Sequence, residues 1–234
     1  MIDQKVLVIS GSSKGIGRFL VDHYLSKGLL VAGCSRSEME NPPLGYTHYC
    51  LDVSDEVSVK HMFTDLRRKF GRVDYLINNA GVGAMNYSLT TPARQLLNVL
   101  NTNFVGTFLL SREAAKVMQL NRFGRIINFS SVATPLKLKG ESAYGSAKAA
   151  VVTFTHILAK ELADLNITVN AVGPGPVKTS LLRGVPEEKI QEIIDQQAIH
   201  RYGTFEDVAN VVDFFLKDES GLITSQVIYL AGVC

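Results

Sequence analysis

The sequence predicts a single α/β domain whose sheet holds seven parallel strands and is covered by helices on both faces. Three observations carry this. Apolar runs of strand length alternate with amphipathic helical stretches from one end of the 234 residues to the other. The runs are apolar at successive positions, not at every second one, so both faces of each strand are to be buried, as in parallel sheets. Helix-length segments separate the runs, and right-handed crossovers between them wind the sheet in two directions from its middle.

The first run, Lys5–Ser10 (Lys-Val-Leu-Val-Ile-Ser), is nearly all apolar and β-branched and leads directly into Gly11-Ser-Ser-Lys-Gly15-Ile-Gly17. Arg18–Lys27 then reads as a helix stopped by Gly28. Leu29–Cys34 is the second run, Thr47–Leu51 a weaker third, Val73–Asn78 the fourth, Arg125–Phe129 the fifth, Thr168–Val172 the sixth and Gln226–Leu230 the seventh. Helical patterns occupy about Val57–Phe70, Pro92–Leu120, Ala143–Leu165 and Phe205–Leu216, with a short one near Glu188–Ala198. Asn41-Pro42-Pro43-Leu44-Gly45 is a turn cluster and not a boundary. Gly173–Glu187, with three prolines and three glycines, is irregular, and about 176–200 is the only insertion large enough to form a substrate lid. The expectation is one doubly wound (Rossmann-type) domain over 1–234.

Composition excludes several functions. Lys plus Arg number 24 and Asp plus Glu 22, a formal charge of +2, and the basic residues are scattered. Neither nucleic acid nor an anionic membrane is therefore an expected partner. Cys34, Cys50 and Cys234 form no disulfide framework and no zinc spacing, and read as small buried hydrophobes or free thiols in a reducing compartment. Met1-Ile2-Asp3-Gln4-Lys5 lacks the features of a leader, and no apolar run is long enough to span a bilayer, so the expected location is the cytoplasm. His23, His48, His61, His156 and His200 share no metal-ligand spacing. No metal is expected, and these residues are assigned no chemistry.

The glycines between the first strand and first helix allow a tight turn and close approach of the backbone to a pyrophosphate, which the helix N-terminus attracts. Gly11, Ser13, Lys14, Gly15, Ile16 and Gly17 are therefore candidate nucleotide contacts. Sheets of this type that bind NAD place an acid at the end of the second strand, on the ribose 2′-hydroxyl. Ser35 holds that place here, with Arg36 next to it and Lys14 in the glycine turn. Nothing repels a 2′-phosphate, and the planar fork of Arg36 suits one. The expected cofactor is NADP(H).

Tyr144 and Lys148, four apart on a helix, share one face. A free tyrosine with a pKa near ~10 is a poor base, and bringing it to ~7 takes roughly 4 kcal/mol. An ammonium within about 4–6 Å, aided by the positive charge of an oxidised nicotinamide, is a source for it. Tyr144 would then give a proton to a carbonyl oxygen, or take one from an alcohol. Ser131 would hydrogen-bond the same oxygen. Ser130 competes for that role, but strand alternation turns it the other way.

Five motifs stand in order: the Gly-x-x-x-Gly-x-Gly turn, Asn78-Asn79-Ala80-Gly81, Asn103 within Asn-Thr-Asn-Phe, Ser131 with Tyr144-x-x-x-Lys148, and Pro174-Gly175-Pro-Val-Lys-Thr179. Together they resemble the short-chain dehydrogenase/reductase family over nearly the whole chain, and the 3-oxoacyl-acyl-carrier-protein reductases most among its branches. The resemblance implies that Lys148 also binds the nicotinamide ribose and that Asn103 holds a water behind it. It further implies that Asp52 and Val53 meet the adenine, that Asn79, Ala80 and Gly81 line the nucleotide, and that Thr179, with Pro174, Gly175 and Val177, lies at the nicotinamide. The implied substrate is a carbonyl compound or alcohol, an acyl thioester among them. Runners-up are a sugar, polyol, steroid or secondary-metabolite dehydrogenase, and a nucleotide-binding regulator without turnover. Leu181 and Leu182 open the lid toward an apolar substrate part, and Asn86–Thr91 shapes the pocket. Ser10 replaces the family's usual Thr, Ser225 a Gly, and Ala231 an acid or amide. The long helices Pro92–Leu120 and Ala143–Leu165 are apolar around much of their circumference, and relatives pair them across a two-fold axis, so a homodimer or homotetramer is expected.

Overall fold

A computed structural model describes residues 4–233; the readings of Met1–Asp3 and Cys234 lie outside the described residues. The strands are β1 (Val6–Ser10), β2 (Leu30–Ser35), β3 (Tyr46–Cys50), β4 (Tyr75–Asn78), β5 (Gly124–Phe129), β6 (Ile167–Gly173) and β7 (Val227–Tyr229). They pair in parallel in the order β3-β2-β1-β4-β5-β6-β7. From β1 the chain winds outward through β2 to β3, then crosses back to β4 on the other side of β1. The carboxyl ends of β1 and β4 therefore flank the crevice where sheets of this kind take ligands.

The sheet separates two cores. α2 (Glu56–Phe70), α4 (Gly106–Asn121) and α6 (Ser142–Leu162) cover one face, burying Val8, Leu66, Leu76, Met118 and Ile126 completely or nearly so. α1 (Gly15–Ser26) and α8 (Phe205–Leu216) cover the other, over Leu7, Ile9, Ile77 and Phe215. Each such side chain contributes about 1.5–3 kcal/mol by leaving water. Local chemistry sets the helix limits. The Asp55 carboxylate accepts from Val57 N at the start of α2, and Gly71, in the left-handed region at φ 74°, ends it. Thr204 and Asp207 cap each other at the start of α8.

The predicted helix over Pro92–Leu120 proves to be three segments: α3 (Ala93–Leu100), a π-turn over Asn101–Val105, and α4. Hydrophobic periodicity does not register one residue of extra winding, because the apolar stripe merely shifts by a position. The helix expected over Ala143–Leu165 stops at Leu162 and tightens into a 3₁₀ turn over Ala163–Leu165. A one-turn helix, α5 (Ala133–Leu136), stands unforeseen after β5. The helix near Glu188–Ala198 is α7 (Glu187–Ile194), and its expected tail is a turn held by the Gln197 amide, which donates to the carbonyls of Ile199 and Arg201, both at 3.0 Å. α4 lies against α2 and α6, so the monomer itself covers much of its circumference; Phe108, Leu120 and Ile157 stay exposed. Among the described residues no helix is long and apolar enough to cross a membrane, and no acid, His or Cys cluster fits a metal.

Candidate active site

The glycine turn is locked to the end of β4. Ser10 Oγ accepts from the main-chain N–H groups of Asn79 (3.1 Å) and Ala80 (3.0 Å), and Asn79 Nδ2 donates to the carbonyls of Ser10 (3.0 Å) and Gly11 (3.2 Å). The hydroxyl that Ser10 shares with Thr thus does the joining. Gly17 is obligatory, since a Cβ there would enter the Gly11 carbonyl and the Asn79 amide. Gly11, at φ 69°, would place a Cβ 2.9 Å from Ala80 Cα. The N-terminus of α1 at Lys14 has no side-chain cap and no acid in its first turn, so its N–H groups and positive dipole end remain for an anion. Ser13 and Ile16 are half-buried in this turn and Lys14 is exposed.

At the second-strand end, Ser35 is the last residue of β2, and its hydroxyl donates to Ser37 O at 2.9 Å. Arg36 is next in the chain and exposed. One Asp52 carboxylate oxygen takes both the N–H (2.9 Å) and hydroxyl (2.7 Å) of Ser54, an Asx turn, while Val53 is buried and packs on Gly106.

The predicted proton-handling residues converge past the ends of β4 and β5. Lys148 is 4% exposed, and its Nζ donates to Phe129 O at 2.7 Å. Gly81 keeps open the space in which Lys148 Nζ and Asn103 Oδ1 would lie 3.6 and 3.2 Å from a Cβ. Asn103 sits in the π-turn with both amide atoms committed to Val82, accepting from its N–H at 2.8 Å and donating to its carbonyl at 2.9 Å. It thus pins the segment that follows β4, whereas the family resemblance has it hold a water behind Lys148. The Ser131 hydroxyl lies near enough to the Tyr144 phenol to favour its ionised form, and its Oγ accepts from Ala133 N at 3.2 Å. Ser130 turns away, toward Thr134 Oγ1 (3.3 Å) and Lys148 O (3.5 Å), as strand alternation requires.

One electrostatic expectation is corrected. Burial pushes the Tyr144 phenol up to about 12, opposed by the Ser131 hydroxyl and reinforced by the nearby Glu141 carboxylate. The same burial brings Lys148 down to about 8. The ammonium lies 5.8 Å from the Tyr144 ring centroid and spends its hydrogen bond on a carbonyl, so the protein's own charges do not acidify the phenol.

Pro174 and Gly175 end the β6 side of the crevice, with the Gln197 carboxamide packed over Gly175. Val177 is buried and bridges to Gly203. Thr179 caps the turn Ser180–Leu182 by accepting from Leu181 N at 3.3 Å, and the site of a Gly15 Cβ would lie 3.4 Å from its methyl. A cleft of about 660 Å³ runs from Lys14 and Gly15 to Lys178, Arg183 and Tyr202. Leu181 packs near Gly83, and Asn86 pairs its main chain with the segment 140–141; none of Asn86–Thr91 lines the cleft.

Sequence reasoning missed His48, which joins Tyr46, Ser35 and Ser37 beneath the second-strand end. The available signal was Gly33, a glycine inside a strand, which marks a close approach by another group. It also missed Glu141, whose half-buried carboxyl burial pushes up to about 7.

A family model described as enoyl-(acyl carrier protein) reductase matches residues 11–232. The 3-oxoacyl-[acyl-carrier-protein] reductase of Escherichia coli (strain K12) is 31% identical over 236 residues, 97% of this chain and 96% of the relative. That of Aquifex aeolicus is 33% identical, with 97% and 96% covered. Among solved structures, levodione reductase superposes with a TM-score of 0.90 at 27% identity, covering 97% of this chain and 96% of its own. ElxO with NADP bound gives 0.88 at 31%, with 97% of each chain covered. With this match over nearly its full length, the chain belongs to the short-chain dehydrogenase/reductase family of oxidoreductases.

Proposed function

We propose that this oxidoreductase uses NADP(H) to reduce the ketone of a 3-oxoacyl thioester. The observation that carries the reading is the meeting of Ser131, Tyr144 and Lys148 beside the gap left by Gly81, at the crevice next to the glycine turn. The residues fit a dinucleotide. The α1 N-terminus is uncapped for a diphosphate, Gly11 and Gly17 leave no side chain in its way, and Ser35 stands where an acid would repel a 2′-phosphate, with Arg36 beside it. The relatives named as 3-oxoacyl-acyl-carrier-protein reductases support the substrate class.

When bound, the cofactor supplies a hydride to the carbonyl carbon. Ser131 holds the carbonyl oxygen where charge develops. Tyr144, kept protonated by burial, donates its proton to that oxygen, which suits the reductive direction. Lys148, still largely protonated at neutrality and held by the Phe129 carbonyl, would bind the nicotinamide ribose beside the phenol. Asn103 fixes the segment after β4 behind them, and the segment 176–200 closes over the substrate. The exposed Phe108, Leu120 and Ile157 support pairing of α4 and α6 between subunits in a homodimer or homotetramer. The unpaired thiols of Cys34 and Cys50 fit a reducing cytoplasm.

A second reading, turnover of a sugar or polyol, draws on one observation. The Glu141 carboxylate, near enough to Tyr144 to raise its pKa, has no hydrogen-bond or ion-pair partner among the described residues and would suit a substrate hydroxyl. NADPH oxidation with an acetoacetyl thioester and cyclic ketones, beside NADP reduction with aldohexoses, separates them. Thioester turnover is expected, and sugar-only turnover would select the second reading. NADPH binding with no turnover at all would leave a nucleotide-binding regulator.

A further inference from the structure

Gly33 lies in the middle of β2, opposite Ile9 of β1 and His48 of β3. A Cβ there would enter the hydroxyls of Tyr46 and Ser12. Its absence admits a polar chain into an otherwise apolar face of the sheet. Ser12 Oγ donates to Cys34 O at 3.3 Å and accepts from Tyr46 OH at 2.7 Å. Tyr46 OH lies 2.9 Å from His48 Nδ1. On the far side of the ring, His48 Nε2 lies 2.8 Å from Ser37 O and 3.3 Å from Ser35 Oγ. A carbonyl oxygen only accepts, so Nε2 carries the hydrogen that reaches Ser37.

The residue between Ser35 and Ser37 is Arg36. Its side chain is exposed, and its carbonyl accepts from Cys50 Sγ at 3.3 Å. The turn that carries the guanidinium is thus tied down on both sides, by Cys50 at Arg36 itself and by His48 at its neighbours. An exposed arginine on a loose turn loses much of its attraction to the entropy of ordering it, and a fixed turn removes part of that loss. The chain through Tyr46 reaches Ser12 of the glycine turn, but that turn has further anchors that do not pass through His48: Ser10 with Asn79, and the N–H groups of Gly11 and Ser12 on Cys34 O.

We propose that His48 is a positioning residue for cofactor choice: its Nε2 bond to Ser37 O holds the Ser35–Ser37 turn so that Arg36 meets the 2′-phosphate of NADP(H). This rests on the NADP(H) reading above. It names a residue outside the glycine turn and the second-strand end.

The test compares dissociation constants for NADPH and NADH by calorimetry in His48→Gln and His48→Asn. The glutamine amide reaches the place of Nε2, whereas the asparagine amide reaches only that of Nδ1, and both remain polar. His48→Asn is expected to weaken NADPH about ten-fold, the effect of one hydrogen bond, and NADH less than about two-fold. His48→Gln is expected to stay within about three-fold of the parent for NADPH. Equal losses for the two cofactors, or equal behaviour of the two variants, would overturn the assignment. Arg36→Ala separates the levels: should it leave the NADPH-to-NADH ratio unchanged, the NADP(H) reading itself fails. A changed ratio there with an inert His48 removes only the positioning role.

Discussion

Replacing Lys148 by Met is expected to make the protein more stable while stopping turnover. Lys148 is 4% exposed, has no carboxylate partner among the described residues, and keeps one hydrogen bond, to Phe129 O. Burial lowers its pKa from the ordinary 10.5 to about 8. That interval of about 2.5 pH units, at 1.36 kcal/mol each, amounts to roughly 3 kcal/mol against folding with the charge in place. Proton binding sets the sign. Below pH 8 folded and unfolded chains are both protonated and the whole penalty acts. Between 8 and 10.5 the unfolded chain binds more protons, so stability rises with pH, and above 10.5 the penalty is gone. Methionine removes the charge but leaves the Phe129 carbonyl without its donor, about 1 kcal/mol back. The net gain at pH 7 is about 2 kcal/mol, or roughly 4–8 °C in Tm for a chain of this size. Urea unfolding at pH 7, 9 and 10.5 should show the gap shrink and reverse. A variant less stable than the parent at pH 7, or a gap indifferent to pH, would refute the account of Lys148 as a destabilised buried cation.

Tyr144→Phe removes the proton donor and is expected to lower kcat by about 10²–10⁴-fold with NADPH affinity unchanged; steady-state rates beside calorimetric titration check it, and retained turnover sinks the acid role. Gly17→Ala places a methyl in the Gly11 carbonyl, so dinucleotide binding should fall by at least about ten-fold in the same titration, and unchanged affinity would contradict the close approach. Ala231 holds φ 64° with its carbonyl accepting from Ala198 and Ile199 N–H groups. Ala231→Asn, better suited to that region, should add about 1 kcal/mol in urea unfolding, and no gain would mean that the backbone there is unstrained.

Most of the fold was legible because parallel strands buried on both faces leave continuous apolar runs, and the β1–α1 and β4 ends announce themselves through Gly and Asn. Strand limits move by only a residue or two. The π-turn was not legible, since extra winding changes no residue type. That Tyr144 and Lys148 share a helix face near Ser131 was readable from spacing, but their electrostatics were not. Whether Lys148 Nζ faces the phenol or the Phe129 carbonyl depends on the closing of β5 against α6, which one helix turn does not encode. His48 was invisible for a similar reason: its partners Tyr46, Ser35 and Ser37 meet only once β2 and β3 pair.

The widened turn at Asn101–Val105 makes the chain's length there a fixed quantity. A π-turn holds one residue more than regular winding needs, and each residue of an α-helix rotates the chain beyond it by about 100°. Deleting any one of the five would relax the segment into continuous helix and change which side chain faces Val82. Asn103 would lose its grip on Val82, and the lysine pocket would open at its back. Substitutions along this helix are local matters, but its residue count is fixed by the hold of Asn103 on Val82.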